Sequence, residues 1–143
     1  MIRIYETTEK SRRVATAVDR LLQQLAAALP SFDEERLGRI AAAPDTHLLL
    51  AETADSRIVG MLSVALYDVP SGRRAWIEDV AVDADARGAG IGERLVREAL
   101  TLAHREGAAK VLLTSNAARQ AAHRLYERVG FVRYDTDLFR YEF

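Results

Sequence analysis

Three glycines at alternate positions, just before a helical pattern, are the part of this sequence that most directly suggests chemistry. They follow an apolar strand pattern at residues 76–82. Glycine lets a backbone adopt positive φ and approach a ligand closely. The first amides of the following helix lack partners and carry the positive end of its dipole. The pattern therefore predicts a phosphate-binding loop. It comprises Arg87, Gly88, Ala89, Gly90, Ile91, Gly92 and Glu93.

The spacing of this loop narrows the class of phosphate ligand. The Lys-Ser/Thr pair of a Walker A motif is absent, and glycines at 88, 90 and 92 break the dinucleotide fingerprint. An Arg-x-x-Gly-x-Gly run after a strand ending Val-x-Val resembles the coenzyme A pyrophosphate loop of the GNAT-type N-acetyltransferases. An ordinary glycine-rich turn is the alternative. The resemblance implies that residues 87–93 bind acetyl-CoA, with Arg87 as a cation at the mouth.

A second motif near the end of the chain resembles the same family. Leu125, Tyr126 and Glu127 precede Gly130 and Phe131, as in that family's other signature. The resemblance implies that Tyr126 contacts the coenzyme and acts as general acid. A phenol, with a reference pKa of about 10, suits protonation of a departing thiolate. A tyrosine packed at a helix edge is the alternative.

The family resemblance also assigns roles to the strand before the loop. It implies that the pantetheine arm pairs with the backbone of Val80, Ala81 and Val82. Glu78 is the predicted general base, and in a regular strand its side chain shares a face with Val80 and Val82. Asp79, a base relayed through water, and a purely structural carboxylate are the alternatives.

The chain departs from the family pattern seven residues before the tyrosine. Many members have an asparagine there that bonds the pantetheine, whereas this chain has Arg119. Asn116 either takes that role or caps the helix, and Arg119 is in reach of a coenzyme phosphate. His123 is interpreted as a helix-surface residue.

Composition excludes several classes of protein. With 143 residues and 49% hydrophobic content, we expect one domain, residues 1–143. The 20 basic and 21 acidic residues provide no general field for nucleic acid. The absence of cysteine rules out disulfides and thiol nucleophiles and favours a cytoplasmic location. No spacing of histidines and carboxylates predicts a metal site, and no apolar run predicts a membrane span.

The elements that would position these residues follow the order β-α-α-β-β-β-α-β-α-β-β. This order resembles the GNAT fold, an α/β (α+β) class with a mixed, mostly antiparallel sheet in which strands four and five splay apart. The first helix is expected to be capped by Thr7, Thr8 or Ser11 and to run through Leu29 to Pro30, and Asp33 is expected to cap the second helix. Strand five is expected at residues 110–114, parallel to strand four. The last helix is expected to begin after Ser115 or Asn116, and the last strands to span 131–134 and 138–143.

Two functions from different classes are consistent with these patterns. The first is an acetyl-CoA-dependent N-acetyltransferase that moves acetyl directly to a primary amine of a small molecule or a peptide or protein. The second is a non-catalytic acyl-CoA-binding module. Acidic residues in the expected acceptor region either attract a cationic amine or form a solvated surface. A homodimer through the C-terminal strands or the edge of strand four is a further hypothesis. The acidic residues are Asp33, Glu34, Glu35, Asp135 and Asp137.

Overall fold

The computed structural model describes residues 1–143 and places one five-stranded sheet between helices. The strands are β1 (Ile2–Glu6), β2 (Thr46–Thr53), β3 (Ile58–Val69), β4 (Gly72–Val82) and β5 (Lys110–Leu112). The helices are α1 (Arg12–Leu25), α2 (Glu34–Ala42), α3 (Ile91–Arg105) and α4 (Gln120–Val129). Strands β1 to β4 pair antiparallel in sequence order, and β5 joins β4 in parallel. The mixed, mostly antiparallel sheet confirms the predicted fold class.

The apolar run of β2 supplies both faces of the sheet. Leu49 and Ala51 pack in a core with α3, whereas Leu48 and Leu50 pack in a core with α1. Alternate side chains of a strand point to opposite faces, so a strand buried on both sides needs a nearly continuous apolar sequence.

None of the helices is long and apolar enough to cross a membrane.

Helix α1 begins as predicted but ends earlier. Ser11 caps it, its side chain accepting a hydrogen bond from the backbone of Val14. The helix ends at Leu25 because Ala26 is extended, with φ −156°. The chain then turns so that Phe32 is buried and its amide donates to Asp19 Oδ1 at 2.8 Å. The expectation of a helix through Leu29 was wrong, because burying Phe32 requires an earlier turn.

A β-bulge in β4 overturns the expectation that Glu78, Val80 and Val82 share a face. Asp79 has φ +50°, and the pairing with β3 shifts register between Glu78 and Ala81. Val80 and Val82 consequently pack against the α3 core. A bulge inserts one residue without a partner and reverses the alternation beyond it. Glu78 lies before this reversal and keeps the face of Trp76.

The splaying of β4 and β5 is confirmed. Their pairing runs only from Arg74–Lys110 to Trp76–Leu112. Residues 77–82 of β4 and the chain after Leu112 therefore diverge, and β5 ends sooner than the predicted residue 114. The divergence leaves one edge of β4 without a strand partner.

The C-terminal part differs from the prediction in two respects. Helix α4 begins at Gln120, because Asn116 Oδ1 instead accepts from the Ala118 amide in a preceding turn. The predicted strands at 131–134 and 138–143 were wrong, since residues 131–143 form no strand. Their apolar alternation favours extended backbone, but no strand of the same chain lies beside them to complete a ladder. Segment 132–143 is exposed and is called the C-terminal tail below.

Candidate active site

A cleft of about 1290 Å³ opens where β4 and β5 diverge. Its walls come from the end of β4, the start of α3, and the segment from residue 114 to α4. Most of the residues singled out from the sequence line it together. They are Val80, Ala81, Val82, Arg87, Gly88, Gly90, Ile91, Gly92, Glu93, Asn116, Arg119 and Tyr126.

The glycine loop has the conformation that its sequence predicts. Gly88 has φ +85° and Gly90, the residue that caps α3, has φ +77°. The Arg94 amide donates to the Gly90 carbonyl at 3.1 Å as α3 begins, so the amides of residues 91–93 precede the helical ladder. An added Cβ at Gly88 or Gly90 would meet nothing within 4 Å, so the space in front of the loop is open.

Arginines give the cleft a positive balance. Arg87 Nε donates to the Val82 carbonyl at 3.1 Å, which holds this guanidinium at the mouth. Arg119 and Arg128 also line the cleft. Glu93 is the one acidic lining residue, and hydrogen bonds from Arg97 and Arg128 hold its pKa below the ordinary value. The carboxylate is thus already paired with Arg97 and Arg128, and an anionic ligand meets Arg87 and Arg119 as the lining cations that have no acidic partner.

These residues fit coenzyme A. Unpartnered amides at a helix start, aided by Arg87, suit a pyrophosphate, and the open space in front of the positive-φ glycines lets it approach. The edge of β4 beyond Trp76, which faces away from β3 and has no strand partner, suits an extended amide-bearing arm. Among the predicted loop residues, only Ala89 does not line the cleft.

Tyr126 lies on the inner side of α4 at the wall of the cleft. It is 8% exposed, and its ring makes an edge-to-face contact with Phe131, with ring centroids 5.8 Å apart. Burial raises the pKa of its phenol, opposed by the nearby charge of Arg119. The hydroxyl therefore keeps its proton at neutral pH and is available as a donor.

Glu78 lies outside this cleft, in an adjoining pocket of about 430 Å³. Thr114 lines both spaces, so both reach the divergence of β4 and β5. Partial burial raises the pKa of Glu78, and the charge of Asp79 raises it further. A carboxylate with a raised pKa is a stronger base once ionised.

Asn116 and His123 organise the segment before α4. His123 Nε2 donates to the Asn116 carbonyl at 2.9 Å, while the Asn116 side chain holds the Ala118 amide. Asn116 thus lines the cleft and holds a turn before α4 rather than capping the helix, and its predicted contact with the pantetheine stays a prediction. His123 has a structural contact, in agreement with its interpretation as a helix-surface residue.

Sequence analysis missed the residue that anchors the start of the loop. Asp83 is 2% exposed and accepts hydrogen bonds from Arg20 at 3.0 Å, Arg57 at 3.2 Å and Gln24 at 2.6 Å. Gln24 Oε1 in turn accepts from the Ala84 amide at 3.2 Å and the residue lines the cleft. The only sequence signal was an aspartate directly after an apolar strand. Its partners come from α1 and from the turn before β3, which local patterns do not connect.

The acidic acceptor residues are partly structural. Asp33 caps α2 by accepting from the Arg36 amide, and Glu34 accepts from Arg12 at 3.2 Å. No group of three or more metal-ligating side chains is arranged to hold a metal ion.

Comparison with known proteins agrees with the geometry. The Acetyltransferase (GNAT) family matches residues 14–131. Glucosamine 6-phosphate N-acetyltransferase 1 of Oryza sativa subsp. japonica is 33% identical over 120 residues, covering 78% of this chain and 71% of that protein. N-alpha-acetyltransferase 30 of Xenopus laevis is 41% identical over 69 residues, 48% of this chain and 25% of its own length.

Solved structures share the fold. An aminoglycoside acetyltransferase from an uncultured soil metagenomic sample, in complex with sisomicin, superposes with a TM-score of 0.87 at 18% identity, covering 99% of this chain and 96% of its own. The glucosamine-6-phosphate N-acetyltransferase of Arabidopsis thaliana superposes with a TM-score of 0.79 at 23% identity, covering 99% of this chain and 98% of its own. None of these relatives favours the non-catalytic alternative. The chain therefore belongs to the GNAT acetyltransferase family, whose activity is acyl transfer to an amine.

Proposed function

We propose that residues 1–143 form one N-acetyltransferase domain that uses acetyl-CoA as the donor and a primary amine as the acceptor. The single observation that carries this proposal is the cleft in which the glycine loop, the unpaired edge of β4 and Tyr126 meet. Members of the family use acetyl-CoA as co-substrate. When bound, the coenzyme supplies an acetyl group activated as a thioester.

Different residues of the chain bind the two parts of the coenzyme. The amides of residues 91–93 and the Arg87 guanidinium hold the pyrophosphate, with Arg119 and Arg128 adding positive charge. The backbone of Val80 to Val82 holds the arm that carries the thioester. Fixing donor and acceptor together accounts for about 7–11 kcal/mol of barrier reduction when the geometry is right. No covalent enzyme intermediate is then needed.

Two side chains move protons in this proposal. The acceptor nitrogen attacks the thioester carbonyl, so a C–N bond forms and the C–S bond breaks. Glu78 accepts the amine proton, directly or through water, and Tyr126 gives a proton to the leaving sulfur. The raised pKa of Tyr126 keeps that proton in place at neutral pH. Glu78 and Tyr126 approach from different sides of the β4–β5 divergence.

The C-terminal tail supports a homodimer, in which the partner is a second copy of this chain. The tail exposes six large apolar side chains, and β5 has a free edge on one side. Strands added from a second copy would cover the apolar side chains of the tail and pair with the free edge of β5. The exposed residues are Val132, Tyr134, Leu138, Phe139, Tyr141 and Phe143. Sedimentation of the full chain and of the Tyr141→Asp variant tests this, with monomers in both cases contradicting it.

The cytoplasmic location stays a prediction.

The proposed function is tested by coupling coenzyme A release to detection of the acetylated product. Acetyl-CoA is supplied with a panel of primary amines that includes glucosamine 6-phosphate, peptide N-termini and aminoglycosides, as the relatives suggest. Release of coenzyme A with a matching acetylated amine is expected. Tight acetyl-CoA binding without transfer to any amine would instead support the non-catalytic alternative.

A further inference from the structure

The face of the sheet that carries Glu78 is open beside the coenzyme cleft. Ala65 pairs with Trp76 and Ser63 with Glu78 across β3 and β4, so their side chains share one face, with Tyr67 next along β3. Helix α1 packs farther along this face, on Met61 and Ala81. The exposed part forms the pocket of about 430 Å³. Its lining is Ala65, Tyr67, Trp76, Glu78, Thr114 and Leu138.

Two aromatic rings give this pocket a fixed wall. Trp76 Nε1 donates to the Tyr67 hydroxyl at 2.7 Å, so each ring restrains the other. The indole N–H is engaged with the Tyr67 hydroxyl, so the faces of the two rings offer apolar surface to a ligand. Such surfaces bind flat or aliphatic bodies and also attract a cation held over a ring.

The charge at this pocket is negative. Glu78 is the only ionisable acidic or basic side chain in its lining, and Asp79 follows it along the strand. On the same face of β4 as Glu78, Arg74 Nη2 donates to Ser71 at 2.6 Å, and the register partner of Arg74 on β5 is Lys110. Neither lines the pocket. The C-terminal tail places Asp137 beside Leu138. A phosphate or carboxylate on the acceptor would therefore meet Glu78 without a compensating cation in the lining.

We infer that the acceptor is a small arylalkylamine, meaning a primary amine on an uncharged aromatic body without a phosphate. This inference rests on the proposed function and names its substrate class. The aromatic body lies against Trp76 and Tyr67, and the amine lies at Glu78. Thr114 borders both this pocket and the coenzyme cleft, so an amine at Glu78 is directed toward the divergence of β4 and β5.

The acceptor ranking of the unmodified enzyme tests this inference. At saturating acetyl-CoA, kcat/KM is measured for 2-phenylethylamine, glucosamine and glucosamine 6-phosphate. We expect 2-phenylethylamine to exceed both sugars by about tenfold or more, because the apolar contacts favour it and a phosphate is left unpaired. Glucosamine 6-phosphate as the best acceptor would overturn the inference while supporting the proposed function. Transfer to none of these three amines, with acetyl-CoA still bound, would overturn the inference, and only a further lack of transfer across the wider amine panel would overturn the proposed function as well.

Variants of the aromatic wall separate binding from stability. Trp76→Ala should lower kcat/KM for 2-phenylethylamine by about tenfold, chiefly through KM, and should change the Kd of acetyl-CoA little. Trp76→Phe keeps an aromatic surface and should recover most of the loss. Equal kinetics for Trp76→Ala and the unmodified enzyme would contradict the inference. The substrate ranking decides the question if Trp76→Ala does not fold.

Discussion

The proposed coenzyme cleft and the proposed acceptor pocket lie side by side but are built from different parts of the chain. The cleft presents backbone: amides at the start of α3, positive-φ glycines and an unpaired strand edge. The acceptor pocket presents side chains from the adjacent strands β3 and β4, with Trp76, Tyr67 and Glu78 at its centre. A backbone site depends on local conformation, whereas a side-chain site depends on which residues the register brings together.

This difference predicts how each region responds to substitution. In the cleft, a change that alters backbone conformation should weaken the donor, while the acceptor ranking is kept. In the pocket, a side-chain change should alter acceptor use, while donor affinity is kept. Tyr126 lies at the boundary, because it lines the cleft but is assigned to the chemical step.

The largest expected effect comes from Tyr126→Phe, which keeps the ring and removes the hydroxyl. Turnover should fall about 100- to 10,000-fold, the usual range for a general acid, while the Kd of acetyl-CoA changes little. Tyr141→Phe, in the exposed tail, is the matched control and should have normal turnover. Measuring kcat at saturation with both substrates checks the prediction. Normal turnover of Tyr126→Phe would leave Tyr126 as a packing residue.

Gly90→Val should weaken acetyl-CoA binding about 10- to 100-fold, since a positive φ strains a branched residue and the side chain enters the ligand's space. Gly107→Val is the matched control, because Gly107 also has positive φ, +86°, but follows the far end of α3. Calorimetric titration of both folded variants provides the comparison. The control should lose stability but keep its affinity. Unchanged affinity in Gly90→Val would remove the loop from the coenzyme site.

Glu78→Gln should lower turnover by about tenfold at low pH and less at high pH, since free amine is then abundant without a base. Burial and Asp79 raise the pKa of Glu78, so ionisation removes stability as the pH rises through that pKa. The variant should therefore melt no lower than the unmodified enzyme at neutral pH. A structural carboxylate would give the reverse, with lost stability and intact kinetics.

Asp79→Asn is the control for Glu78→Gln, with pH–rate profiles and melting temperatures measured together. Asp79 has positive φ, a conformation that asparagine also tolerates, so the bulge should persist. A normal maximal rate is expected for Asp79→Asn, with the acid limb of the profile moved toward lower pH because Glu78 loses the neighbouring charge that raises its pKa. A normal profile for Glu78→Gln with an altered one for Asp79→Asn would transfer the role of base to Asp79.

Asp83→Asn should have the smallest effect on turnover and act mainly on the loop. Loss of the buried carboxylate removes an anionic partner of both Arg20 and Arg57, so the free energy of unfolding should fall by about 1–3 kcal/mol. The KM for acetyl-CoA should rise about threefold as the loop loosens. Asp85→Asn, which removes an exposed partner of Arg57, should change neither quantity appreciably. Chemical unfolding and donor titrations provide the test, and identical behaviour of the two variants would contradict it.

Local patterns determined much of the coenzyme half of this protein. Alternate glycines before a helical repeat predict the loop and α3, and Ser11 and Asp33 predict two helix starts. Tyr126 was identified from its motif and lines the cleft. These features depend on residues within one or two turns of each other, where spacing alone carries the physical information.

Tertiary structure decided the rest. The bulge at Asp79 turns Val80 and Val82 away from the face of Glu78, and it depends on pairing with β3. Burial of Phe32 ends α1 at Leu25, and the lack of a partner strand leaves the tail unpaired. The contacts of Asp83 and the Trp76–Tyr67 pair join segments distant in sequence. A sequence pattern records the preference of each segment, whereas register and long-range partners arise only when the segments pack together.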